Sequence, residues 1–287
     1  MSDTRARLPV QRLAAFSSGA RGGNPAGVVL AGALPEDATM QAIAAEVGFS
    51  ETVFAAPRGP AIGDGLRVRY FSPEAEIPFC GHATIALGAA LAKTHGSHVF
   101  ALKLNAAEIT VEGRADGGDL FAALQSPPTS SRPAGADLAA GALALFGLTQ
   151  GDLDPRLPPA LVEAGATHLL LALKTREALA AMDYDLAAGK ALMRAAGLVT
   201  LALVHAETGR LFHARNAFAS SGVFEDPATG AAAAALAGYL RDLAWPQGGT
   251  IEIRQGEDMG TPCLITAEIR PERGGPVRVS GTVREMG

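Results

Sequence analysis

The stretch Phe224-Glu225-Asp226-Pro227-Ala228-Thr229-Gly230, followed by Ala231 to Ala235 and Leu236-Ala237-Gly238-Tyr239-Leu240, decides how the chain folds. It reads as a turn that feeds a helix. Asp226 is a suitable N-cap, and Pro227 suits the first helical position, where a missing N–H costs nothing. The helix is apolar on every side until Arg241 and Asp242, so it is expected to be buried with a sheet wrapped around its small side chains. Its start presents free N–H groups and a partial positive charge, which suits an anion, most simply a carboxylate.

The same construction occurs earlier. Arg69-Tyr70-Phe71-Ser72-Pro73 leads to Phe79-Cys80-Gly81-His82-Ala83-Thr84 and then to the apolar run Ile85 to Leu91. Matching Ala83-Thr84 to Ala228-Thr229 sets Gly81 opposite Asp226 and His82 opposite Pro227. An internal repeat of this kind implies two similar domains, each with one buried helix. A chain of 287 residues is long enough for two domains. The Pro-, Ser- and Gly-rich segment Ser126 to Ala136 marks the boundary. The expected division is 1–125 and 126–275, with 276–287 as a last strand that could return to complete the first domain.

Elsewhere, strands joined by short turns favour antiparallel sheets over βαβ units, an α+β chain. Expected strands include Leu8 to Phe16, Ala26 to Leu30, Ser50 to Ala55 and Leu66 to Tyr70, then three in succession from His98 to Gln125. The second half repeats the pattern from Ala160 to Val283. A helix opening at Pro35 shows Met40, Ile43, Ala44 and Val47 on one face and stops at Gly48.

Composition excludes several function classes. The net charge of −5 is modest and unclustered, which argues against nucleic-acid or anionic-membrane partners. No apolar run approaches a membrane span, and Met1 to Arg5 shows no signal-peptide pattern. Two cysteines, Cys80 and Cys263, form no CxxC or metal spacing, so a reducing, cytoplasmic setting is expected. His82, His95 and His98 lack metal-ligand spacing, and no metal is expected.

Three residues could carry acid–base chemistry. Glu51 lies in Phe49-Ser50-Glu51-Thr52-Val53-Phe54. If Phe49 and Val53 face the core, alternation carries Glu51 inward, and desolvation raises its pKa toward a working value. If the other face is buried, Glu51 is solvated. His82, in the turn before the first helix, could shuttle a proton or serve only as a structural histidine. Asp226 could join them or be an ordinary N-cap. Cys80 lies by the same turn, but its counterpart region offers Glu225 and Asp226 and no thiol, so it reads as a packed small residue.

Five stretches together resemble the phenazine-biosynthesis PhzF-like family, within the diaminopimelate-epimerase-like fold. They are Gly23-Asn24-Pro25-Ala26-Gly27-Val28-Val29, Ser50-Glu51-Thr52-Val53-Phe54, Cys80-Gly81-His82-Ala83-Thr84, Glu225-Asp226-Pro227-Ala228-Thr229-Gly230 and, more weakly, Gln255-Gly256-Glu257-Asp258-Met259-Gly260. The resemblance implies two similar domains, each an antiparallel barrel-like sheet around a central helix, with the active site between them. It also implies a homodimer, no cofactor, and isomerisation of trans-2,3-dihydro-3-hydroxyanthranilate or a related carboxylate by proton transfer. Under it Glu51 is the catalytic carboxylate, supported by His82 and Asp226. Asn24 and the backbone near Gly81, His82, Thr229 and Gly230 hold the substrate carboxylate. In the two-thiol epimerases of the same fold the thiols stand where Gly81 and Asp226 stand here, which favours carboxylate chemistry. Ala231 replaces a frequent Ser, and Thr261-Pro262-Cys263 replaces Arg-Pro-Ser, which changes the polar groups offered to a substrate. Two rivals stand beside this reading: an epimerase or racemase of a small amino acid, and a non-catalytic protein that binds small acids.

Overall fold

The computed structural model describes residues 8–246 and 249–287; the terminal Met1 to Arg5 pattern lies outside them. Both all-apolar stretches are helices, and both are buried. One runs Gly81–His95 and buries every residue from His82 to Ala92. The other runs Gly230–Asp242 and buries Ala232 through Arg241. Each belongs to its own compact unit. The first unit comprises the chain up to Ala20, Asn24–Leu124 and Gly281–Gly287; the second comprises Arg21–Gly23 and Gln125–Ser280.

The first unit contains β1 (Gln11–Ser17), β2 (Asn24–Leu30), α1 (Asp37–Val47), β3 (Thr52–Pro57), β4 (Leu66–Phe71), β5 (Glu76–Ile77), α2 (Gly81–His95), β6 (His98–Lys103), β7 (Glu108–Asp116) and the start of β8 (Asp119–Pro128). Strand β1 pairs antiparallel with β2, β2 parallel with β3, and β3 antiparallel with β4. Strand β4 pairs antiparallel with β5 and parallel with β6, and β6, β7 and β8 continue antiparallel. The end of the last strand, β17 (Pro276–Glu285), pairs with β1 at Leu13↔Glu285 and also with β8, which closes the run.

Small side chains let this sheet approach α2. A Cβ added at Gly113 of β7 would lie 2.0 Å from the Gly88 carbonyl oxygen of α2, so only glycine allows the crossing. Helix α1 covers the outside, burying Met40 and Ala44 against Val29, Phe54 and Phe71. It stops at Gly48, whose left-handed φ of 71° ends the helix.

The second unit repeats the order. It contains β9 (Ser130–Pro133), α3 (Ala136–Leu145), β10 (Ala160–Glu163), β11 (Thr167–Ala172), α4 (Arg176–Ala180), α5 (Leu186–Ala195), β12 (Thr200–Ala206), β13 (Leu211–Phe218), β14 (Val223–Asp226), α6 (Gly230–Asp242), β15 (Gly249–Gln255), β16 (Cys263–Ile269) and the start of β17. Antiparallel β10–β11, parallel β11–β12, antiparallel β12–β13 and β13–β14, then parallel β13–β15, match the first unit pair for pair. Strands β15, β16 and β17 then continue antiparallel, as β6, β7 and β8 do. The fold is α+β, two similar barrel-like sheets each wrapped on a central helix.

Three local expectations change. Asp226 does not cap α6 and Pro227 is not its first residue: Asp226 ends β14, the N-cap is Thr229, and the helix begins at Gly230. The reason is that the Asp226 backbone stays in the sheet opposite Asn216. The Pro- and Ser-rich boundary segment, where no strand is expected, holds the end of β8 and all of β9, which pairs with β10. The sheets, mainly antiparallel, also hold two parallel pairs each, because α1 and then α2 in one unit, and α4 with α5 and then α6 in the other, carry the chain across before the next parallel strand.

Candidate active site

The first helix start is where ionisable groups gather. Glu51 does not lie within a strand. It immediately precedes β3, and its carbonyl accepts a 3.1 Å hydrogen bond from Gly27 N–H, extending the β2–β3 pairing by one step. Thr52 through Ala56 are all buried, so alternation does not decide the orientation of Glu51, and Phe49 is only half-buried. The Glu51 side chain nonetheless turns inward, with 15% of it exposed.

There it meets His82, the second residue of α2, at 3.2 Å between Oε2 and Nε2. Oε2 is buried and finds no donor at a hydrogen-bonding angle. A buried carboxylate oxygen left this way is costly, and such exceptions call for an explanation. On its other side the ring places Nδ1 3.3 Å from Cys80 Sγ. Cys80 is the N-cap of α2, and its carbonyl accepts from the Thr84 amide at 3.0 Å and the Thr84 hydroxyl at 2.7 Å. The buried Tyr70 hydroxyl lies 2.7 Å from the same Thr84 oxygen. Strand β4 therefore fixes the first turn of α2, and with it His82 and Cys80.

The electrostatics follow from this packing. Burial pushes the Glu51 carboxyl up, but hydrogen bonding and charge from His82 more than offset it, and its pKa falls below the ordinary glutamate value. Desolvation alone suggests the opposite direction; the imidazolium reverses it. Burial disfavours the His82 imidazolium, yet the Cys80 sulfur and the Glu51 carboxylate raise its pKa well above the usual 6.5. Burial pushes the Cys80 thiol up, so it stays protonated at neutral pH. The resting arrangement is an ionised Glu51 beside a protonated His82. The amides of Gly81 and His82 open the helix, where first-turn N–H groups have no intrahelical acceptor.

Asn24 is buried as the first residue of β2, opposite Ala15. The next residue of β1, Phe16, is fully buried with φ 59°, at the bulge between Ala15 and Ser17. A bulky residue in the left-handed region is strained, and such strain concentrates near functional sites.

In the second unit, Asp226 accepts a 2.6 Å hydrogen bond from the Thr229 hydroxyl. Gln255 organises the same turn. Its Nε2 donates to the Asp226 carbonyl at 2.6 Å, and its Oε1 accepts from Thr229 N–H at 3.1 Å. The Thr229 amide is therefore already occupied. Gly230 starts α6, so the second helix begins four residues later than the sequence match of Gly81 to Asp226 implies. Below this turn, Arg215 holds Glu225 with Nε at 3.0 Å and Nη2 at 2.5 Å, and its Nη1 donates to the Ala180 and Met182 carbonyls. That buried pair anchors β14 and with it the backbone of Asp226.

A family profile described as "Phenazine biosynthesis-like protein" matches residues 13–284. The chain belongs to this family. A trans-2,3-dihydro-3-hydroxyanthranilate isomerase of Pseudomonas fluorescens is 33% identical over 272 residues, covering 93% of each chain. An uncharacterized isomerase of Deinococcus radiodurans is 35% identical over 286 residues, covering 94% of this chain and 90% of its own. The crystal structure of a predicted epimerase from Pseudomonas aeruginosa superposes with a TM-score of 0.83 at 25% identity, covering 98% and 97% of the two chains. The chain is thus an isomerase of the phenazine biosynthesis-like family, acting on a small molecule. Among its described residues no helix is long and apolar enough to cross a membrane.

The sequence singles out Glu51 and His82, which the structure brings together, and reads Cys80, which is buried against the same imidazole, as a packed residue. The spacing Cys80-Gly81-His82 held the signal, since two residues flanking the first helical position share one turn. Gln255 opens the weakest of the five matching stretches, which assigns it no role. Nothing local to Gln255 indicates that its side chain reaches the Asp226–Thr229 turn, because the two are brought together by β14 and β15 on either side of α6.

Proposed function

We propose that this isomerase moves a proton between carbons of a small carboxylate-bearing metabolite, with Glu51 as the group that takes the proton and returns it. The observation that carries the reading is the buried Glu51 carboxylate, held ionised by His82 at 3.2 Å. An ionised carboxylate set against a protonated imidazole in a largely buried site can accept a proton from a bound substrate. Asn24 and the amides of Gly81 and His82 are the proposed holders of the substrate carboxylate in the first unit. Asp226, Thr229 and Gly230 are the proposed contributors from the second.

The charges balance through the step. The C–H bond breaks, its electrons stay on the substrate as a delocalised anion, and Glu51 becomes neutral. The His82 imidazolium then has lost its carboxylate partner and faces the new negative charge, which it and the helix start stabilise. Return of the proton from Glu51 to a second carbon restores the original pair. No step calls for a cofactor. Homodimer formation and a cytoplasmic setting belong to the same proposal.

The substrate of the Pseudomonas fluorescens relative, trans-2,3-dihydro-3-hydroxyanthranilate, is the first compound to test, with a panel of small carboxylates beside it. Incubation in deuterated water, followed by NMR, should show isomerisation with deuterium at a carbon. A compound that binds tightly but exchanges no carbon-bound hydrogen would refute the reaction and favour a binding protein. Inversion at the α-carbon of an amino acid would replace isomerisation with epimerisation.

A further inference from the structure

The donors around His82 come from two segments about thirty residues apart and from three kinds of side chain. One ligand atom each from Glu51, Cys80 and His82 lie within 4.8 Å of one another. Cys80 Sγ is 3.9 Å from His82 Nε2, and that nitrogen is 3.2 Å from Glu51 Oε2. Zinc bound at about 2.3 Å to sulfur and about 2.0 Å to nitrogen or oxygen holds its tetrahedral donors roughly 3.3 to 3.6 Å apart. The nitrogen–oxygen pair stands near that spacing, and the sulfur lies a few tenths of an ångström beyond it. Two of the three residues belong to the first turn of α2, and binding requires the Cys80 thiol, now nearer Nδ1 than Nε2, to turn toward the ion.

We propose that Glu51, Cys80 and His82 form a binding site for one thiophilic divalent cation, with zinc the ion the sulfur–nitrogen–oxygen set suits best. Binding sends the Cys80 thiol proton and a His82 proton to solvent. The metal then occupies the carboxylate and the imidazole that the isomerase reading needs free. The inference rests on the donor positions. It would stand even if a different proton-transfer reaction were found.

The test uses the full-length protein, stripped with chelator and titrated with chelator-buffered zinc. X-ray absorption at the zinc edge of the wild-type complex should show one sulfur at about 2.3 Å with nitrogen and oxygen at about 2.0 Å. Cys80→Ser should lower zinc affinity at least about tenfold, a loss that even outer-shell changes at zinc sites produce. Cys263→Ser, on β16 and far along the sequence, should leave zinc affinity unchanged. A zinc shell without sulfur, loss of binding in Cys263→Ser, or no zinc uptake by the wild type would each overturn the proposal. The wild-type spectrum decides the matter even if Cys80→Ser fails to fold. Because every readout is metal binding, failure here is distinct from failure to find a substrate.

Discussion

Replacing His82 with Gln tests the electrostatic core of the site. Gln can still donate a hydrogen bond but carries no charge. At 3.2 Å and an effective dielectric of about 20, the lost attraction is about 5 kcal/mol. At about 1.36 kcal/mol per pKa unit, that sets a ceiling of nearly 4 units on the rise of the Glu51 pKa. A relaxed site with some water entry should still show a rise, because burial, the largest cause, is then opposed by hydrogen bonds alone. The assay is carbon-13 NMR titration of glutamate side-chain carboxyls, with Glu51→Gln used to assign the resonance and an amide spectrum to confirm folding. In the wild type, Glu51 should titrate below its ordinary value of 4.5. In His82→Gln it should titrate above it. An unchanged or lower Glu51 pKa in the variant would refute the argument that the imidazolium sets the charge of this carboxylate.

Other outcomes follow from the same structure. Glu51 has a lowered pKa, so its contribution to stability is present above about 4.5 and is lost as pH falls through its folded value. His82 has a raised one, so its contribution is present below about 6.5 and is lost as pH rises through its folded value. Urea denaturation should therefore show the largest stability difference between wild type and Glu51→Gln between these two pH values, and a pH-independent difference would contradict the pairing. Gly113→Ala should destabilise by about 1–3 kcal/mol, because the added methyl meets the Gly88 carbonyl, and a melting temperature equal to wild type would show that the crossing can relax. Asp226→Asn keeps an acceptor for the Thr229 hydroxyl, so its fold should survive while kcat/KM falls at least about 10²-fold. Full activity in that variant would remove Asp226 from the site.

Much of the fold was legible because its two central helices carry an unusual signal. Runs such as Ala231 to Ala235, apolar on all sides, have no solvent face to offer, and the structure buries both helices within their sheets. What stayed hidden depends on partners distant in sequence. Asp226-Pro227 has the composition of a helix cap, but pairing of Asp226 with Asn216 keeps it in the sheet and moves the cap to Thr229. The parallel pairs were missed because the turn chemistry around each strand is local, whereas β2 and β3 meet only after α1 has crossed over. Glu51 was placed by alternation, which has no force in a strand buried on both faces. Its carbonyl is held by Gly27, and its side chain turns inward to meet His82. The direction of its pKa shift required the distance to His82, which no spacing in the sequence supplies.

The role of Glu51 in carrying the proton is tested most directly by Glu51→Gln, an uncharged side chain of nearly the same shape. With the compound that the wild type isomerises, hydrogen exchange at carbon in deuterated water should fall by about 10²-fold to 10⁴-fold, while substrate affinity stays within a few-fold. Carbon-bound exchange at the wild-type rate in Glu51→Gln would contradict the account, and some other group would have to move the proton.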